Sequence, residues 1–320
     1  MVDNFTIIEI KSVIIYTLRR KKNMKTIAIL GPTASGKTSL AIQLAKKTNA
    51  NILSLDSLSI YKEIDIASAK PSLQERDGIK HFGIDEILPN ENFNVSSFID
   101  FYHKAKNTSA KENKNLIIVG GTGFYLKSLI SGLSQKPIIS EEAKTKATAM
   151  LQNINKAYSI IQKNDEVYAQ KISHNDSYRI EKWFEIFFQS EKTVSEYFKE
   201  NSQKPILENI VLYEIDTPKE ILRQRISLRT KEMLKKGLID EVVYLEKTYT
   251  RQPNWVRSIG IKETLEFLDG FINKNELIEK IIISTAQLAK RQRTFNSTQF
   301  DPHVKENIEN IYTNVCNLFN

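Results

Sequence analysis

Cysteine is nearly absent from the chain: Cys316 is the only one in 320 residues. One thiol excludes an internal disulfide framework and a multi-cysteine zinc site, and it fits a reducing cytosol. Histidine is scarce as well. His81, His103, His174 and His303 are scattered, with none of the spacing that ligates a metal. No stretch reaches the ~20 apolar residues of a membrane span. There is no internal repeat and no low-complexity tract. A signal peptide is excluded by order: the basic cluster Arg19–Lys22 follows the apolar patches Ile7-Ile8 and Val13–Ile15 instead of preceding them. A cytoplasmic protein without a membrane partner, monomeric, is the expectation.

What is present is enough hydrophobic residue, 41%, for a large core. Net charge is +8, and residues 1–23 supply +3 of it, from five Lys/Arg against two Asp/Glu. The remaining excess permits a nucleic-acid partner without requiring one. Residues 1–23 read either as a loose N-terminal extension or as non-native sequence ahead of a start at Met24, which lies just before the first core strand, with a short amphipathic helix as the lesser alternative.

The stretch Lys25–Leu40 organises the rest. An apolar run, Ile27–Leu30, has the character of a buried parallel strand. It enters Gly31-Pro32-Thr33-Ala34-Ser35-Gly36-Lys37-Thr38, which fits G-x-x-x-x-G-K-[ST], and Ser39–Lys46 follows with helical spacing. Strand, glycine loop and helix in that order form a polyphosphate cradle, in which backbone N–H groups and the helix N-terminus face the anion. Lys37 supplies a point charge, and Thr38 offers a hydroxyl to Mg²⁺.

Further strands are expected at Asn51–Leu55, Ile79–Asp85, Leu116–Val119 and Ile210–Ile215. Helices are expected at Val95–Lys106 (capped by Asn94), Phe124–Leu133, Lys219–Lys236, Asp240–Lys247, Ile261–Phe267 and Asn275–Arg293. This alternation predicts an α/β fold: a P-loop NTPase-like parallel sheet flanked by helices. Between about 138 and 201 the strand signal vanishes, predicting a helical insertion domain within a core formed by 24–137 and 202–320.

Parallel sheets gather their chemistry at the carboxyl ends of strands. Asp56 sits at such an end, and is either a Mg²⁺-linked carboxylate or a general base. Gly120–Gly123 sits at another and brings Thr122 to the same crevice. Arg225 and Arg229 share a helix face, as a solvated basic stripe or a pair reaching the phosphates. Tyr178–Lys182 and Lys290–Phe295 interleave bases and aromatics, a mixture that suits RNA and also occurs on ordinary amphipathic helices.

Seven segments together resemble the tRNA dimethylallyltransferases: GPTASGKT at 31–38, DSLSIYKEIDIASAKPS at 56–72, HFGID at 81–85, VGGTGFYLKSL at 119–129, RQRISLRTKEMLKKGLIDEV at 223–242, SIGIKE at 258–263 and QLAKRQRT at 287–294. The resemblance implies transfer of a dimethylallyl group from its diphosphate to N6 of the adenosine on the 3′ side of the anticodon. It implies catalytic roles for Asp56 (base), Thr122, Arg225 and Arg229, and a diphosphate held by Gly31–Thr38 with Mg²⁺ on Thr38. The tRNA contacts it implies are Asp56, Ser57, Leu58, Ser59 and Thr122, with Tyr178, Arg179, Ile180, Glu181 and Lys182 in the helical insertion. Ser59 stands where the family often has glutamine, and Tyr178 and Lys182 replace Gln and Arg. An adenylate prenyltransferase and a P-loop nucleotide kinase are the competing readings.

Overall fold

The computed structural model describes residues 24–132, 137–202, 204–208, 210–300 and 303–319. The expectations for residues 1–23, for Leu133 as a helix end and for Lys136 at a domain junction lie outside them. Over the described residues the chain divides into two compact units, one within Met1–Lys127 and Asn209–Asn320, the other within Ser128–Glu208.

The first unit is built on a six-stranded sheet, every pairing parallel. The strands are β1 (Thr26–Leu30), β2 (Ala50–Leu55), β3 (His81–Phe82), β4 (Asn115–Gly120), β5 (Val211–Ile215) and β6 (Val304–Glu306), in the spatial order β3-β2-β4-β1-β5-β6. The apolar strands of the sequence are its centre: Ile27, Ile29, Ile52 and Ile117 are all buried. Helix α1 (Lys37–Thr48) turns Leu40, Ala41, Leu44 and Ala45 inward, the i, i+4 spacing of one helical face. It starts at Lys37, two residues earlier than expected, so Lys37 and Thr38 occupy its first turn.

Helix α2 (Leu73–Arg76) is one short turn, and α3 (Val95–Lys111), capped by Asn94 as expected, packs Phe98, Tyr102 and Ala105 toward β2 and β4. Helix α4 is Gly123–Ser131. The strand expected over Ile79–Asp85 shrinks to two residues, because Gly83 takes φ 74° and turns the chain away from the edge.

In the second unit, α5 (Glu141–Met150), α6 (Ile154–Asn164), α7 (Glu166–Ala169), α8 (Ser177–Ser190) and α9 (Val194–Glu200) pack around Ala147, Ile161, Ile180, Trp183 and Phe184. Asp165 is buried among them and accepts hydrogen bonds from Trp183 Nε1 and Ser195 N, both at 3.0 Å. The unit reaches beyond residues 138–201, since the N–H groups of Ile206 and Leu207 both donate to Leu129 O and close the chain on itself.

The remaining helices of the first unit are α10 (Lys219–Lys235), α11 (Leu238–Tyr249), α12 (Ile261–Leu268), α13 (Lys274–Gln299) and α14 (Ile308–Phe319). Residues Ile60, Tyr61 and Ile64 of the loop after β2 join Leu238, Val242, Trp255, Leu265 and Ile281 in a second core. Strand β6 and helix α14 were not expected from the sequence. Helix α14 buries Ile311, Val315 and Phe319 in the same cluster as α1.

Candidate active site

Three central strands end level. Leu30 of β1 and Leu55 of β2 both pair with Gly120 of β4, so Gly31, Asp56 and Gly121 leave the sheet side by side. This brings together the three strand-end motifs.

In the loop after β1, Ser35 N donates to Pro32 O, and Gly36 takes φ 93°, a conformation open to glycine at no steric cost. Gly36 is also the N-cap of α1 and brings no side chain to its first turn, which holds no acidic residue. The N–H groups of that turn are therefore available to an anion. Lys37 Nζ donates to Pro32 O at 2.6 Å. Desolvation in the cleft and the neighbouring Arg229 push its pKa down to about 7, against the opposing pull of Asp56. Arg229 is also held below its usual range by desolvation, with Asp56 again opposing.

Arg225 and Arg229 reach the loop from α10. Arg229 Nη1 lies 3.4 Å from Thr33 Oγ1, and Arg225 Nη1 lies 3.5 Å from Ala34 O. Arg225 is exposed and Arg229 half-buried.

Two of the cavities that meet here carry Asp56 in their walls. The larger, about 610 Å³, is lined by Gly36, Lys37, Thr38, Ser59 and Arg225, and its inner wall is apolar at Ile52, Ile84 and Val119. The smaller, about 280 Å³, is lined by Ser57, Leu58, Thr122, Arg257, Ser258 and Ile259. Thr33, Asp56, Arg229 and Gln292 line both. Asp56 is fixed by its own chain, for Oδ1 accepts from Leu58 N at 2.8 Å and Ser59 N at 3.1 Å. That leaves Oδ2 without a hydrogen bond among the described residues. Ser59 is buried, its hydroxyl 3.3 Å from that of Ser54. Thr122 N donates to Leu55 O, which ties the two strand ends.

The loop from Leu58 to Pro71 is braced. Glu241 of α11 accepts from Asp65 N, Ile66 N and Ala67 N at 2.7–2.9 Å. Lys70 pairs with Asp65 and Asp85 and donates to Tyr61 O. Among the described residues no group of three His, Cys, Asp or Glu could hold a metal. A Mg²⁺ ion would therefore need oxygens from a bound diphosphate beside the exposed Thr38 hydroxyl, the arrangement this hard cation commonly takes.

Tyr178–Lys182 belong to the second unit. Tyr178 is exposed, with Lys182 Nζ 5.7 Å from its ring centroid. Arg179 pairs with Asp176, and Glu181 accepts from Thr148 Oγ1. Ile180 is fully buried in that unit's core and faces no solvent.

Sequence reading overlooked Gln292 of α13. Thr33 N donates to Gln292 Oε1 at 2.8 Å. The amide of Gln292 lies where a side chain at Gly121 would be: a Cβ there would stand 2.3 Å from Nε2. One turn on, Asn296 does the same at Gly123, where a Cβ would stand 2.8 Å from Oδ1, and its Nδ2 donates to buried Glu214. The signal was present in QLAKRQRT but was hidden by its charged neighbours. Arg257 and Ser258 were also overlooked as wall residues.

A model of the IPP transferase family matches residues 59–299. A tRNA dimethylallyltransferase of Sulfurovum sp. (strain NBC37-1) is 51% identical over 289 residues, 90% of this chain and 96% of the relative. That of Sulfurimonas denitrificans is 55% identical over 278 residues, 87% and 94%. Among solved structures, a eukaryotic dimethylallyltransferase acting on tRNA superposes with TM-score 0.73 at 28% identity, covering 89% of this chain and 73% of that one. The tRNA isopentenylpyrophosphate transferase of Bacillus halodurans gives 0.67 at 27%, covering 92% and 95%.

Proposed function

The chain belongs to the IPP transferase family of tRNA dimethylallyltransferases, and from that membership we propose the reaction its cleft performs. It is a tRNA-prenylating enzyme. The donor is dimethylallyl diphosphate, and the acceptor is N6 of the adenosine 3′ of the anticodon.

The observation that carries this reading is the wall common to the two cavities. The residues of the phosphate cradle and the apolar Ile52, Ile84 and Val119 line one cavity, and Asp56 lines both that cavity and the second. A donor with a charged head and a hydrocarbon tail fits the first, the tail lying against Ile52, Ile84 and Val119. The acceptor base leaves its stack to enter the second, between Leu58, Thr122 and Ile259.

N6 attacks C1 of the dimethylallyl group. The N6–C1 bond forms, the C1–O bond breaks, and the electron pair leaves with diphosphate. An exocyclic amine is a poor nucleophile, and Asp56 takes its proton on the free carboxylate oxygen. Lys37, Arg229 and the N–H groups of the first turn of α1 meet the charge that grows on the leaving oxygens. Arg225 adds an exposed charge at the rim. Mg²⁺, held by Thr38 and the diphosphate, would supply further neutralisation of the leaving group.

The test is an incubation of the protein with labelled dimethylallyl diphosphate, Mg²⁺ and, separately, tRNA, AMP, or ATP together with AMP. Label is expected in tRNA. Label in AMP alone would replace the reading with an adenylate prenyltransferase. ATP-driven phosphoryl transfer to a small acceptor, without prenylation, would replace it with a kinase.

A further inference from the structure

We infer that Gln292 is a positioning residue that couples the phosphate loop to the turn on the acceptor side, and that Gly121 is glycine to make room for it. The inference rests on the reaction proposed above and names a part of the site that neither the strand ends nor the loop motif supplies.

Thr33 N–H belongs to the anion-binding loop, yet it points to Gln292 Oε1 rather than into the cradle. The bond fixes Thr33, whose hydroxyl is the contact of Arg229. The other end of the same amide lies against Gly121, the residue before Thr122. Gln292 thus bridges the donor-side loop and the acceptor-side turn across the wall that holds Asp56, and its side chain lines both cavities. Asn296, one turn further along α13, is bound to Glu214 at 3.2 Å, and His303 Nε2 contacts the same carboxylate at 2.7 Å. The two amides sit four residues apart on one helix face and fill the two places where Gly121 and Gly123 carry no side chain.

A Cβ at Gly121 displaces the amide, so Gly121→Ala and Gln292→Ala break the same bridge. The experiment is a double-mutant cycle on the full chain. Affinity for inorganic diphosphate is measured by calorimetry, and kcat and KM are measured with dimethylallyl diphosphate and tRNA. Each single variant is expected to weaken diphosphate binding and raise KM for the donor by about five- to hundredfold, the range for removing one partner of a hydrogen bond shielded from solvent. KM for tRNA should change less. The double variant should be no worse than either single one. Gln292→Met, which keeps the volume and loses the acceptor oxygen, should behave as Gln292→Ala does and melt as the wild type does.

Multiplying losses in the double variant would show that the two residues act separately and would overturn the inference. So would unchanged diphosphate affinity in Gln292→Met, or a fall in active fraction with KM unaltered. Diphosphate binding is read without prenyl transfer. A wild type that transfers nothing, with the cycle closed, removes the proposed reaction and leaves the bridge standing. Intact transfer with an open cycle does the reverse.

Discussion

Lys37 and Arg229 are two cations in one desolvated cleft, and Arg229 is among the causes that lower Lys37 to a pKa of about 7. Desolvation and the like charge of Arg229 both disfavour the protonated amine of Lys37, and a polyanion beside it would favour that form.

Diphosphate binding should therefore take up protons near neutral pH. Below about 7 Lys37 is already charged; above it, each binding event must protonate the amine. Affinity should fall as pH rises from 7 to 9. Calorimetry in buffers of different ionisation enthalpy measures the uptake, which should shrink in Lys37→Met. Linkage gives the companion sign: the depressed pKa penalises folding below about 7, and the penalty fades as pH rises from about 7 toward 10.5.

Asp56→Asn separates charge from turn geometry. Asparagine keeps an oxygen for the N–H groups of Leu58 and Ser59, so the loop should hold. Loss of the base should lower kcat by about 10²–10⁴ with tRNA affinity near wild type. Single-turnover transfer and filter binding measure the two.

The two arginines of α10 should separate by depth. Arg229 is half-buried and reaches Thr33, whereas Arg225 is exposed. Arg229→Ala should cost about 10²–10³ in kcat, the scale of a preorganised charge lost from the transition state. Arg229→Lys should recover little, since an ammonium does not reproduce the guanidinium fork. Arg225→Ala should cost under about tenfold, as a solvated charge does. Steady-state kinetics with saturating tRNA distinguishes them.

In the helical unit, Arg179 and Tyr178 are exposed and Ile180 is not. Arg179→Ala should raise KM for tRNA and reduce the salt slope of binding by about one phosphate contact. KM for dimethylallyl diphosphate should stay unchanged. Ile180→Ala should instead lower thermal stability, by about 2–5 kcal/mol, through a cavity in that unit's core.

The parallel sheet and its strand-end loops were legible because local chemistry writes them. Ile27–Leu30 is an apolar run, Gly36 and Lys37 belong to a fixed spacing, and Asp56 ends a strand. Contacts between distant segments were not legible. Thr33 meets Gln292 across 259 residues, and no property of either residue names the other. Gly120–Gly123 read as the turn that brings Thr122 to the crevice, but why positions 121 and 123 are glycine did not, because the side chains they make room for lie on α13. Helix α14 was missed although Ile311, Val315 and Phe319 keep i, i+4 spacing, and β6 is three residues long with two of them exposed. Ile180 shows the opposite failure: a basic–aromatic stretch carried an inward-facing residue along with its exposed neighbours.

The most direct test of the central claim is the product itself. After one turnover with dimethylallyl diphosphate, the tRNA is digested to nucleosides and analysed by mass spectrometry, with released diphosphate counted in parallel. The account requires one C₅H₈ unit on N6 of a single anticodon-loop adenosine for each diphosphate released, and none with Asp56→Asn at equal time. Unmodified adenosine in that loop while diphosphate is released, or full transfer by Asp56→Asn, would contradict it.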